Sequence, residues 1–188
     1  MAKVDKGLVE QLVEGTISHE DARSLLKMEN KDPERFWTYL EILQKRVSWK
    51  DKILLRIADH LYIVRKDSGD RVVKCDCGHE FGDYRANWKL GALIRLRETP
   101  EEIQEVYYPA EACPDPEWVV IREYYCPDCA AQLAVEIVPP GYPIVFEMLP
   151  DLDRFYRDFV DQPLPDEKPD WYRDRTGEVT ADWARGKA

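Results

Sequence analysis

Four of the five cysteines in this chain stand in two tight pairs, Cys75-Asp76-Cys77-Gly78 and Cys126-Pro127-Asp128-Cys129. Zinc takes four sulfur or nitrogen ligands at tetrahedral angles, and a shell closed by four cysteines leaves no position for water or substrate. Cys75, Cys77, Cys126 and Cys129 are therefore the expected ligands of one structural Zn2+, a site that folds a protein and performs no reaction. Gly78 and Pro127 put both pairs at turns, where thiols suit a metal knuckle better than a packed core. The first pair is C-x-C rather than C-x2-C, and 49 positions separate Cys77 from Cys126, so the metal ties together distant parts of one domain. Rubredoxin-like iron has the same ligand set and geometry, and the residues do not separate the two metals. His79 is an alternative fourth ligand, its blander role being a hydrogen-bonding residue that lines the knuckle. A thioredoxin-like role for Cys126-x-x-Cys129 needs a strand-to-helix junction in a βαβ context, which this region lacks. Cys113 is left over.

Other chemistry is thin. His19 and His60 have no adjacent nucleophile in sequence except Ser18, which reads as a helix cap. The carboxylates are scattered, and no glycine-rich phosphate loop, Walker motif or H-E-x-x-H occurs. Trp88, Trp118, Tyr124 and Tyr125 offer faces on which bases stack, but Arg85, Lys89, Arg95 and Arg97 make only a modest basic strip. Packing in a core or an interface is the better reading of these aromatics. No residue is assigned a catalytic or cofactor-binding role.

The formal net charge of -10 and the pI near 4.9 work against general nucleic-acid binding, since phosphate contacts need a basic surface. No apolar stretch has signal-peptide or membrane-spanning character. An odd number of cysteines, four of them in metal-type pairs, suits a reducing compartment, so a soluble cytoplasmic protein is expected, with neither membrane nor nucleic acid as partner.

The knuckles need elements to hold them. Residues 4–47 are helical in pattern: Leu8, Leu12 and Val13 form a stripe stopped by Gly15, Ser18 caps a second short helix, and Asp32-Pro33 starts a third through Phe36, Leu40, Leu43 and Val47. Residues 61–65 and 71–75 are β-rich and flank a loop with Gly69, a hairpin that delivers Cys75 and Cys77. Residues 90–97 read as another strand, and Thr99-Pro100-Glu101-Glu102 opens a capped helix to about residue 107. Residues 117–125 and 132–138 flank the second cysteine pair as a further hairpin. Leu152, Phe155, Tyr156, Phe159 and Val160 follow helical spacing after Asp151, whereas 161–188 carries prolines, mixed charge and the isolated Trp171, Tyr172 and Trp183. The expected class is α+β: a helical segment over 1–60 packed on the core, a zinc-ribbon-like antiparallel hairpin domain with a C-terminal helix over 61–160, and an extended tail over 161–188. Trp171 or Trp183 is expected to fill a pocket on a partner.

Four blocks in combination are more specific than either cysteine pair: DPERFWTYLEILQKRVSWKDKILL from Asp32, VKCDCGHEFGDYRANWKL from Val73, WVVIREYYCPDCAAQLAVE from Trp118 and YPIVFEMLPDLDRFYRDFV from Tyr142. Through them the chain, to about residue 165, resembles the gamma subunits of acetone carboxylase. The resemblance implies a small zinc-bearing structural subunit of a complex with large alpha and beta partners. That complex uses ATP to join a ketone to bicarbonate as a 3-oxo acid, with ATP and a catalytic divalent metal held by the large subunits. Cys75, Cys77, Cys126 and Cys129 match the family's metal cysteines. Two alternatives are the same role in a carboxylase for another ketone, and a free-standing zinc-ribbon adaptor that binds nucleic acid.

Overall fold

Strands β2 (Leu61–Arg65) and β3 (Arg71–Cys75) are buried at almost every position, a pattern that a strand shows when both of its faces are covered. A computed structural model, which describes residues 4–27, 32, 34–168 and 171–186, shows both covers. Leu61, Ile63, Val73 and Cys75 face one core together with Tyr84, Cys126, Leu133, Leu152 and Tyr156. Tyr62, Val64 and Val72 pack with Leu40 and Leu43 of helix α3 (Glu34–Arg46) in a second.

These two strands are the middle of a four-stranded antiparallel sheet, flanked by β1 (Lys52–Ala58) and β4 (Glu80–Asp83). A second antiparallel sheet holds β5 (Leu93–Arg97), β6 (Val120–Tyr125) and β7 (Gln132–Val138) in sequence order. The molecule is thus α+β, with N-terminal helices, two hairpin-built sheets and C-terminal helical structure.

Local chemistry places the helix ends. The Asp5 carboxylate accepts the N–H groups of Gly7 and Leu8 at the start of α1 (Lys6–Glu14), and Gly15 ends it at φ 71°, a conformation glycine adopts without penalty. Ser18 Oγ accepts the Asp21 N–H at the start of α2 (His19–Lys27), and Asp32 accepts that of Glu34 at α3. Pro33, the expected first residue of α3, lies outside the described residues. Thr99 and Glu102 close the expected capping box on α4 (Pro100–Gln104). Asp151 caps α5 (Leu152–Arg154), which runs on as a π-helical turn over Phe155–Phe159.

Three expectations need correction. The segment 1–60 is not helical throughout, because β1 is a strand that pairs with β2; two register shifts, at Ile53/Leu55 and Arg56/Ala58, break the alternation that would have marked it. The strand expected over 90–97 begins at Leu93, since the Asn87 side chain accepts the Lys89 N–H and starts a 3-10 turn over Trp88–Gly91. The tail is not extended throughout: α6 (Thr176–Ala184) is helical, and Trp171 is buried in this chain's own core. The guanidinium groups of Arg71 and Arg85 each lie over the Trp171 ring system, 4.4 Å from a ring centroid, and Tyr84 Oη donates to the Trp171 carbonyl at 3.2 Å. Cation–π contacts of this kind, shielded from water, are each worth about 1–2 kcal/mol. Arg175 continues the strap, its N–H donating to the Arg85 carbonyl and its guanidinium to Asp83.

Candidate metal centre

Each cysteine pair closes a turn by the same device. In the first, the Cys75 N–H donates to the His79 carbonyl and the Gly78 N–H to the Cys75 carbonyl, both at 2.9 Å, with Gly78 at φ 103°. In the second, the Cys126 N–H donates to the Ala131 carbonyl and the Ala130 N–H to the Cys126 carbonyl, again at 2.9 Å, with Ala130 at φ 58°. A left-handed residue after the last cysteine turns the chain back toward the next strand. β3 and β4 present the first knuckle, and β6 and β7 the second.

The four Sγ atoms converge within 4.8 Å of one another. Cys75 and Cys129 are 3.8 Å apart and Cys77 and Cys126 3.6 Å, far beyond a disulfide bond of about 2.05 Å. A tetrahedron with metal–sulfur bonds of about 2.3 Å has edges of about 3.8 Å, so the donor set fits a tetrahedral ion, and the four cysteines are positioned to bind a metal. Cys75 and Cys126 are fully buried in the shared core, while Cys77 and Cys129 face outward. The centre therefore joins the two sheets at the edge of the core.

Electrostatics point the same way. Burial pushes the Cys75 thiol up, against the backbone N–H of Cys77, and pushes Cys77 up against the N–H of His79. The Ala131 N–H holds Cys129 below the ordinary thiol range. Buried thiols resist ionising on their own, while N–H groups aimed at sulfur favour thiolate; a bound metal cation would settle that contest by supplying the countercharge.

Neighbours that spacing did not reveal fix the first knuckle. Trp49 Nε1 donates to the carbonyls of both Cys75 and Asp76 at 3.1 Å, and its ring lies 3.5 Å from the position a Cβ on Gly78 would take. His60, at φ 63° in the β1–β2 turn, accepts the Asp76 N–H on its carbonyl and sits 2.5 Å from the Asp76 carboxylate through Nδ1. His79 Nδ1 lies 3.0 Å from Asp128 Oδ2, bridging the knuckles, and its ring meets Phe81 edge-on. The sulfur set closes without His79. Cys113 lies apart in the α4–β6 loop, against the Pro114 carbonyl, and His19 begins α2 on the surface.

The basic strip is engaged within the chain. Lys89 pairs with Glu136 at 2.5 Å and Glu147 at 2.9 Å, Arg97 with Glu123 and Glu105, Arg85 with Asp83, and Arg95 with Glu105. Trp88 packs edge-on against Tyr124, whose hydroxyl donates to Glu136 at 2.7 Å. Burial followed by the Glu136 hydrogen bond pushes that phenol up, and Lys89 and Tyr124 hold the Glu136 carboxyl down against its burial.

Fold and site together define a zinc-ribbon-like α+β protein whose two sheets meet at a four-thiol centre. A family model described as acetone carboxylase gamma subunit matches residues 47–160. The acetone carboxylase gamma subunit of Xanthobacter autotrophicus (strain ATCC BAA-1158 / Py2) is 44% identical over 156 residues, 82% of this chain and 92% of its own length. The acetophenone carboxylase beta subunit of Aromatoleum aromaticum (strain DSM 19018 / LMG 30748 / EbN1) is 39% identical over 80 residues, 42% of this chain and 61% of its own. The chain belongs to the acetone carboxylase gamma subunit family. Both relatives are named as subunits, of carboxylases for two different ketones.

Proposed function

We propose that this chain is the zinc-bearing structural gamma subunit of a cytoplasmic, ATP-dependent ketone carboxylase and has no active site of its own. Large alpha and beta subunits hold the nucleotide, the catalytic divalent metal and the substrate. The reaction forms a carbon–carbon bond between a ketone and bicarbonate, with acetone to acetoacetate as the leading case. The observation that carries the structural part is the closed set of four thiols at the junction of the two sheets. Cys75, Cys77, Cys126 and Cys129 would hold Zn2+, which supplies a cross-link and folding energy rather than an open coordination position. The rival reading, a nucleic-acid adaptor, is disfavoured by the ion pairs that engage Arg85, Lys89, Arg95 and Arg97. No helix among the described residues is long and apolar enough to cross a membrane.

The test is purification from native extract with metal analysis. A subunit travels with two much larger chains, carries about one zinc, and alone shows no ketone-dependent ATP turnover. Turnover by the isolated chain, or migration alone or with nucleic acid, would overturn the reading.

A further inference from the structure

The four thiols are not equally accessible. Cys75 and Cys126 are fully buried, whereas Cys77 and Cys129 are exposed, so a small oxidant in solution reaches one thiol of each knuckle first. Each exposed thiol lies in contact with a buried one, and in both cases the buried partner belongs to the opposite knuckle: Cys77 with Cys126 at 3.6 Å, and Cys129 with Cys75 at 3.8 Å. A disulfide of about 2.05 Å asks each pair to close by roughly 1.5–1.8 Å. Two sets of neighbours favour this pairing. His79 Nδ1 lies 3.0 Å from Asp128 Oδ2, a contact that links the two tips independently of any metal. Trp49 Nε1 donates to the carbonyls of Cys75 and Asp76, and the Gly78 N–H donates to the Cys75 carbonyl. A bond from Cys75 to Cys77, which closes a ring over one intervening residue, would have to form within a turn already fixed along its backbone.

We propose that the centre is a redox-sensitive joint, in which hydrogen peroxide converts the four thiols into two disulfides across the knuckles, Cys77–Cys126 and Cys75–Cys129, with release of the metal. The inference rests on the reading of these cysteines as a metal centre, while the connectivity depends on the thiols alone. In the first step the sulfur of Cys77 or Cys129 attacks one peroxide oxygen. The O–O bond breaks, water leaves with the thiol proton, and the sulfur is oxidised to a sulfenic acid while the peroxide is reduced. In the second step the facing buried sulfur attacks the sulfenic sulfur, the S–O bond breaks, and the hydroxyl leaves as water with the second thiol proton as the S–S bond forms. Each disulfide thus consumes one peroxide and yields two waters. Sulfur held in a disulfide is no longer a thiolate donor, so the metal site is lost. The two sheets nevertheless stay joined, because covalent links replace coordinate ones between the same two knuckles. In a reducing compartment such bonds are transient and reversed by thiols, the behaviour of a sensor and not of a structural disulfide.

The test treats the purified full chain with hydrogen peroxide and quenches it with a thiol-alkylating reagent. A chromogenic chelator reads released metal, and mass spectrometry of a non-reducing digest reads the disulfides and the remaining thiols. Four cysteines allow three pairings. The expected one is Cys77–Cys126 with Cys75–Cys129, accompanied by release of about one metal ion per chain, with Cys113 the one alkylated thiol of the five cysteines. Reduction with dithiothreitol followed by zinc should restore the starting metal content. Either of the other two pairings, sulfinic acids without disulfides, unmodified thiols with retained metal, or a failure to rebind metal after reduction would overturn the proposal. If the chain is isolated without metal, the metal reading fails, and the same digest still decides the connectivity. If it is isolated with metal and gives any of the contrary outcomes, only the redox proposal is overturned.

Discussion

Replacing Cys126 with serine removes one of four donors and places a hydroxyl where a fully buried sulfur stood. Structural zinc sites in small peptides contribute about 10–16 kcal/mol in total, so one donor of four corresponds to roughly 2.5–4 kcal/mol, or about two to three orders of magnitude in metal affinity. A serine hydroxyl without a partner in that position adds about 1–3 kcal/mol of desolvation cost. Against a domain stability of about 5–15 kcal/mol, the loss is large but does not compel complete unfolding. Its effect should be uneven. The first sheet keeps α3 and the core of Leu40, Leu43, Ile53, Tyr62, Val64 and Val72, none of which touches the centre's second knuckle. Besides the centre, the second sheet meets the first through the core around Leu133, the His79–Asp128 contact and the Phe81–Trp88–Tyr124 ring contacts. We expect metal content well below one per chain, faster amide exchange in β6 and β7, and near-normal protection in β2 and β3. Full metal with unchanged exchange in β6 and β7 would refute the cross-link reasoning, as would a purified complex with normal zinc and stability that had lost only turnover.

Trp171→Ala should cost about 3–5 kcal/mol, the range for a buried tryptophan, and thermal melting should show it; an unchanged midpoint would mean the strap is not docked as described. Gly78→Ala should cost about 2 kcal/mol, because φ 103° strains any side chain, while the new Cβ would meet Trp49 only at ordinary contact distance; denaturant titration of the metal-loaded chain checks it. Burial opposes ionisation of Asp83, yet Arg85 and Arg175 together hold its carboxyl below the usual range. A depressed folded pKa stabilises above the unfolded value near 3.9 and is lost as pH falls through the folded one. The amides of residues 171–176 should therefore stay protected from neutral pH to about 4 and lose protection only below it, while Asp83→Asn should loosen them already at pH 7. A loss of protection between pH 7 and 5 in the wild type would contradict this assignment.

What the sequence determined is what short-range chemistry writes into it. Paired cysteines at turns, the Gly15 stop, the Ser18 and Asp32 caps, the Thr99–Glu102 box and the β-rich runs of Leu61–Arg65, Arg71–Cys75 and Gln132–Val138 each depend on residues within a few positions of one another. The four cysteines could be grouped as one set because zinc chemistry counts donors, whatever their separation along the chain. Only the tertiary structure decided the rest. β1 hid because its bulges scramble the period of two, and β5 shortened because one asparagine side chain starts a turn ahead of it. Trp49 and His60 brace a knuckle that lies across the sheet from them, and Asp128 reaches His79 only because the two hairpin tips meet. Trp171 looked like an anchor for a partner, since nothing near it in sequence is apolar enough to hold it. Its binding site is built from Arg71, Tyr84 and Arg85, about a hundred residues earlier, and a contact of that range leaves no periodic trace for a local reading to find.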